Sequence, residues 1–219
     1  MNVYETENLQ NGSERLNEMA NSLLARLEHK IYIQRKRRKF KNQHVSILAS
    51  NCNGGIILHD LGLRFDTPTI NLYFHPSDFI KFISDINYYL AQEPIEIESE
   101  CRFPVGKLDD ITVYFMHYSS FDEAKRKWQE RKERIHKDNL FVMMTDQNGC
   151  THEDMLAFDA LPFPNKVIFT HRPCPEIHSA VYIKGFENNS EVGVLSDWKP
   201  GFWKRRWIDD FDYVSFLNH

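Results

Sequence analysis

"ILASNCNGGIILHDLGL", residues 47–63, decides how this chain is read. It closes the apolar run "HVSILAS" (44–50), which has the look of a buried strand. Asn51, Cys52 and Asn53 then interrupt the pattern, and Gly54 and Gly55 follow. "GGIILHDL" resumes as a short helix that Gly62 stops. A strand that turns directly into a helix is the repeating step of an α/β fold. Cys52 sits at that turn, and three readings of it stay open: a nucleophile, part of a binding loop, or a small buried side chain.

Further strands and helices alternate outward from this unit. "TPTINLYFH" (67–75) is expected as a strand, with Pro68 confined to its start. Pro76, Ser77 and Asp78 open a helix expected to run through Tyr89. "IEIES" and "ITVYFMHY" are expected strands, and Ser120 with Glu123 caps a helix over 121–135. "NLFVMMTD", "KVIFTH" and "SAVYIKG" read as strands, and Thr151 caps the helix after the first of them. The aromatic-rich end "DWKPGFWKRRWIDDFDYVSFLNH" reads mainly as a packed cover in which Trp198, Phe202, Trp203 and Trp207 lie among cations. Asp210-Phe211-Asp212 has an Asp-x-Asp shape, but acids at a helix start explain it. The expected fold is a three-layer α/β domain over 41–219 with a largely parallel or mixed sheet. An N-terminal appendage, 1–40, combines a polar start with a basic amphipathic helix from Ser13.

Length and charge narrow the function classes. At 219 residues the chain buries a core without metal or disulfide staples. Its net charge of −4 argues against nucleic acid as a partner. Cys52, Cys101, Cys150 and Cys174 show no zinc-site spacing. The start has no signal-peptide pattern and no stretch is apolar enough to span a bilayer, so a cytoplasmic protein with reduced thiols is expected. The crowded cations from Arg35 to Lys41 read as a solvated helix end or as attachment to an anionic membrane surface at the inner face.

In an open parallel sheet, ligands bind beyond the carboxyl ends of the strands. The residues at those ends are therefore the candidates: Ser50, Asn51 and Cys52 after the first strand, then His75, His117, Asp146, and His171 with Arg172. Cys52, His117, Asp146 and His171 have catalytic side-chain chemistry. Ser50, Asn51, Asn53, Gly54, Gly55, His75 and Arg172 are candidate ligand contacts. A helix N-terminus lowers the pKa of a thiol and attracts anions, so the Cys52 loop suits either covalent catalysis or phosphate binding. Asp146 could orient a base or hold a divalent ion such as Mg²⁺ or Mn²⁺, and its bland alternative is a turn.

Four stretches taken together carry a resemblance: "SNCNGGIILHDLGLRFDTPTINLYFHPSDFIKFI", "FPVGKLDDITVYFMHYSSFDEAKRKWQERKERI", "DNLFVMMTDQNGCT" and "LPFPNKVIFTHR". In order, they resemble a bacterial domain-of-unknown-function family, DUF1919, often labelled exopolysaccharide biosynthesis protein. Family members tend to carry Asn-Cys-Trp-Gly-Gly where this chain has Asn53 in place of the Trp. The resemblance implies work in surface polysaccharide assembly and brings no catalytic residues with it. Together these readings give an expected transferase acting on a sugar or activated sugar. The alternatives are a non-catalytic scaffold of polysaccharide assembly and a cysteine-dependent hydrolase or acyltransferase.

Overall fold

The computed structural model describes residues 23–201 and 204–219. In chain order the elements are α1 (23–39), β1 (Ser46–Ala49), α2 (Asn53–Leu61), α3 (Pro76–Ser84), α4 (Ile86–Ala91), β2 (Ile95–Glu96), β3 (Val105–Leu108) and β4 (Ile111–Tyr114). They continue as α5 (Phe121–Lys132), β5 (Leu140–Thr145), α6 (His152–Asp159), β6 (Lys166–Thr170), β7 (Ala180–Tyr182), a 3₁₀ turn (Trp207–Asp210) and α7 (Tyr213–Leu217).

The main sheet is parallel throughout, in the order β1-β5-β6-β7. Its strands are apolar on both faces, as a doubly covered sheet requires. Leu48, Val142, Met144 and Ile168 point to one side and pack with Phe79, Phe82, Trp128 and Phe158 of α3, α5 and α6. Ile47, Ala49, Phe141, Met143, Val167 and Phe169 point to the other, against Ile57 and Leu58 of α2 and Tyr213 and Leu217 of α7. The alternation has the strand period of two, and it gives the three layers. A second sheet, antiparallel and ordered β2-β3-β4, joins the first of these cores through Leu108, Ile111 and Val113.

Several expectations are corrected. Residues 67–75 do not form a strand; only Tyr73 bridges to Tyr114. Asn71 takes a left-handed φ of 63°, which breaks any ladder. The Thr69 hydroxyl instead accepts the Ala49 N–H at 3.0 Å and so satisfies the edge of β1. The helix expected to run through Tyr89 divides at Asp85, which has φ −137° and whose carboxylate caps α4 at Tyr88 N–H. The strand expected to lead to His117 ends at Tyr114 and lies in the antiparallel sheet. β3 was not expected; Gly106 interrupts its pattern, and a Cβ there would lie 2.8 Å from Phe121.

The appendage is a helix at least over 23–39; the expected start at Ser13 lies outside the described residues. α1 packs on the C-terminal segment. Glu28 pairs with Arg205 at 2.7 Å, and the Tyr32 hydroxyl donates to Asp209 O at 3.3 Å. Two of the cations assigned to a basic surface are engaged internally. Lys36 is buried, with Nζ 3.4 Å from the centre of the Tyr213 ring. Burial brings its pKa down to about 8, against the pull of Asp209, Asp212 and Asp60. Arg37 donates to the Asp60 and His59 carbonyls at the end of α2. Of the aromatic cover, Trp207 packs on Phe186 while Trp198 is 47% exposed. Phe202 and Trp203 lie outside the described residues. Asp212 caps α7, and Asp210 pairs with Lys199.

Candidate active site at the carboxyl edge of the sheet

Parallel register puts the ends of β1, β5 and β6 side by side, with Ala49 opposite Met143 and Thr145 opposite Phe169. The next residues, Asn51, Asp146 and His171, therefore share one edge. Asp146 is buried, and both its oxygens are occupied. Oδ2 accepts the His171 backbone N–H at 2.8 Å and faces the ring Nδ1 at 2.5 Å. Oδ1 accepts the Val192 N–H at 2.7 Å. The carboxylate thus fixes the imidazole by both backbone and ring. With Nδ1–H donated to Asp146, the neutral ring carries its lone pair on Nε2. The His171 side chain stays 18% exposed, against 5% for Asp146. This is the geometry of a histidine base oriented by a carboxylate.

A polar network extends the edge toward β1. The Asn51 amide donates to Thr145 Oγ1 and Gln147 Oε1, each at 3.1 Å, and its oxygen accepts the Asn53 N–H at 3.1 Å. The Gln147 amide donates to the Val192 and Gly193 carbonyls at 2.9 and 3.1 Å. Residues 191–193 are thereby held against the edge. Asn148 and Gly149 both adopt left-handed φ, 60° and 77°. That turn lets the Asn148 carbonyl reach the His75 Nδ1 at 3.2 Å.

His75 begins an aromatic shelf. Its ring stands edge-on to Tyr114 at 5.1 Å, and Tyr114 stacks on Tyr73 at 4.5 Å with 8° between planes. Phe103 meets Tyr73 edge-on at 6.3 Å. All four rings are half-buried. Arg172 is exposed, its Nε donating to Glu187 O at 3.3 Å.

Cys52 and His117 border a separate hollow. Together with Gly55, Asn71 and Ser196 they line a cleft of about 440 Å³ beside the start of α2. His117 arrives there through the antiparallel sheet, its N–H donating to Asn71 O at 3.3 Å. Asp146 and His171 thus stand in hydrogen-bond contact at the ends of parallel strands, whereas His117 is carried by the antiparallel sheet. Cys52 also behaves differently from the expectation for a helix start. Burial pushes its thiol up, an effect only partly offset by backbone groups of Leu72 and Asn71.

The rest of the loop faces inward. Ser50 and Asn53 are buried. The Ser50 N–H and C=O bond Met143 O and Phe74 N–H, each at 2.9 Å. A Cβ on Gly54 would lie 2.9 Å from Ile47 Cγ2, and one on Gly55 would lie 3.3 Å from Ile70 Cδ1. Gly54 lets α2 lie close on β1, and Gly55 lies against Ile70. Among the described residues, no cluster of three or more His, Cys, Asp or Glu side chains is arranged to hold a metal ion.

The raised thiol has a measurable consequence. With iodoacetamide near neutral pH, exposed Cys101 should be modified well before half-buried Cys52, as followed by peptide mass mapping over time. Cys52 reacting ahead of Cys101 would restore it as a nucleophile.

Gln147, Thr145 and the Val192 backbone were not singled out from sequence. Their roles depend on a loop that returns to the edge 46 residues after Asp146. A weak signal lay in the Asp-Gln-Asn-Gly run that follows β5, which could be read as a turn alone.

A family described as "Domain of unknown function (DUF1919)" matches residues 24–218. An "Uncharacterized protein" of Haemophilus influenzae is 47% identical over 182 residues, spanning 83% of this chain and 88% of that protein.

Proposed function

This chain belongs to the DUF1919 family, and we propose that it is a group-transfer enzyme that activates a sugar hydroxyl with His171 as general base. One observation carries the reading: Asp146 Oδ2 lies 2.5 Å from His171 Nδ1 while the same carboxylate binds two backbone N–H groups. A carboxylate so fully engaged holds one ring orientation and one tautomer. Nε2 then accepts the proton of an acceptor hydroxyl as its oxygen attacks the anomeric carbon of an activated sugar. The bond from that carbon to the donor's leaving group breaks, and the leaving group keeps the electron pair.

A sugar acceptor suits the surroundings. The Asn51, Thr145 and Gln147 side chains bond one another and fix the edge beside His171. The shelf of Tyr73, His75, Phe103 and Tyr114 supplies ring faces and edges beside them. Arg172 is available for a charged part of the donor. The proposal sets this work in the cytoplasm, in surface polysaccharide assembly, where four unpaired cysteines remain reduced. Burial of Cys52 weighs against the cysteine-dependent alternative.

A melting-temperature screen of nucleotide sugars, with and without Mg²⁺ or Mn²⁺, tests the substrate class. A donor at a hundred times its Kd should stabilise the fold by about 2.7 kcal/mol. Transfer to a sugar acceptor should follow with the same donor. If no nucleotide sugar shifts the transition, the donor assignment fails; if one binds without turnover in the presence of sugar acceptors, the scaffold reading replaces catalysis.

A further inference from the structure

From the outward face of α1 we propose that this helix lies on an anionic lipid bilayer surface, a binding surface independent of the reaction at the sheet edge. The helix turns Ala25, Ile33 and Lys36 inward, where they are buried. Opposite them, Leu23, Leu24, Leu27 and Ile31 are 63%, 59%, 55% and 43% exposed. Leu23, Leu27 and Ile31 follow one another at four-residue spacing and so form a single stripe. Arg26 and Lys30 flank the stripe on one side and Arg35 on the other, and Arg38 continues its line; all four are exposed.

The charge pattern selects the occupant. Glu28 is the single carboxylate in 23–39, and it turns away from this face to pair with Arg205. The exposed face of the helix therefore combines leucine and isoleucine with cations and carries no acid. A helix of that composition buries its apolar side at the level of the lipid headgroups while its cations meet anionic phosphates. A second copy of the same face would bring cations together with no carboxylate to receive them. Among the described residues no helix is long and apolar enough to cross a membrane, so the contact is peripheral.

The assignment differs from a simple basic cluster over 35–41. Lys36 and Arg37 are occupied within the protein, so their removal reports on folding rather than on lipid. The lipid face begins two turns or more upstream of them.

The test is cosedimentation of the full chain with vesicles of equal parts phosphatidylcholine and phosphatidylglycerol, and with phosphatidylcholine alone. Binding should require phosphatidylglycerol. It should weaken at least about tenfold between 0.1 and 1 M salt, as the screening length falls from about 10 Å to about 3 Å. Changing Arg26, Lys30, Arg35 and Arg38 to Gln should weaken it several hundredfold, at roughly fivefold for each cation. In a separate variant, Leu27→Ser with Ile31→Ser should weaken it about tenfold or more, because about 0.8 kcal/mol accompanies each buried methylene. Both variants alter exposed positions and should keep the parent melting temperature. The proposal is overturned if the parent chain does not bind, if binding ignores salt, or if either folded variant binds like the parent. A parent dimer in sedimentation equilibrium that Leu27→Ser with Ile31→Ser dissociates would also overturn it, in favour of self-association.

Discussion

Replacing His171 with Ala should lower turnover by about 10²–10⁴-fold, the range for loss of a positioned general base. The effect should fall on kcat with little change in KM, because the base acts on the acceptor proton in the transition state. The fold should survive, since the backbone N–H of residue 171 still bonds Asp146. Asp146→Asn should also reduce kcat, because an amide cannot accept at both of its terminal atoms as the carboxylate does. It should cost stability as well, because its NH₂ group must face a backbone N–H donor, that of residue 171 or that of residue 192. Circular dichroism and a melting curve for each variant separate the two effects. A raised KM with kcat intact in His171→Ala would assign the ring to binding instead.

The second large effect is structural. Asp60→Ala should destabilise the chain by about 3–5 kcal/mol, the cost of removing one partner from a buried ion pair. Asp60 lies at the end of α2, 6% exposed, and pairs with Arg206, itself 7% exposed. Arg206 also bonds Asp209 Oδ1 at 3.0 Å, and the Tyr213 hydroxyl donates to Asp60 at 3.1 Å. Burial works against the Arg206 charge, and its contacts with Asp60 and Asp209 outweigh that cost. Loss of Asp60 leaves the guanidinium buried with one carboxylate and the Tyr213 hydroxyl without its acceptor. Urea unfolding reads the loss directly. The pair Asp60→Leu with Arg206→Met should recover only part of it, because Asp209, whose side chain is 1% exposed, then loses its own guanidinium partner. A loss below about 1 kcal/mol in Asp60→Ala would show that water or Asp209 compensates the cation.

Asp60 and Arg206 lie 146 residues apart, and no local pattern announces them. That is the general limit of what the sequence reveals here. β1, β5, β6 and β7 are legible because each is a short apolar run between turn residues, and their ends place Asn51, Asp146 and His171 on one edge. The turn into α2 is legible through its glycines. Their roles differ, however: a Cβ at Gly54 collides with Ile47 and Ala49, so Gly54 serves packing, while Gly55 borders the cleft. Residues 67–75 alternate like a strand, but Asn71 breaks the backbone and Thr69 bonds β1 through its hydroxyl instead. His117 was expected on the parallel edge and reaches the neighbouring cleft by another sheet, since the direction of β4 is set by a hairpin partner that Gly106 disguises. The apolar stripe of α1 is visible as a period, but its outward orientation depends on Lys36 and Ile33 facing the C-terminal segment.

The tautomer of His171 tests the central claim without any substrate. In ¹⁵N-histidine-labelled protein, long-range ¹H–¹⁵N spectra distinguish a protonated ring nitrogen from one with a free lone pair. With Asp146 facing Nδ1 at 2.5 Å, the neutral His171 ring should carry its proton on Nδ1 and show Nε2 as the unprotonated nitrogen. Asp146→Asn should lose that preference. A neutral His171 ring protonated on Nε2 instead would contradict the account, because no lone pair would then face an acceptor hydroxyl.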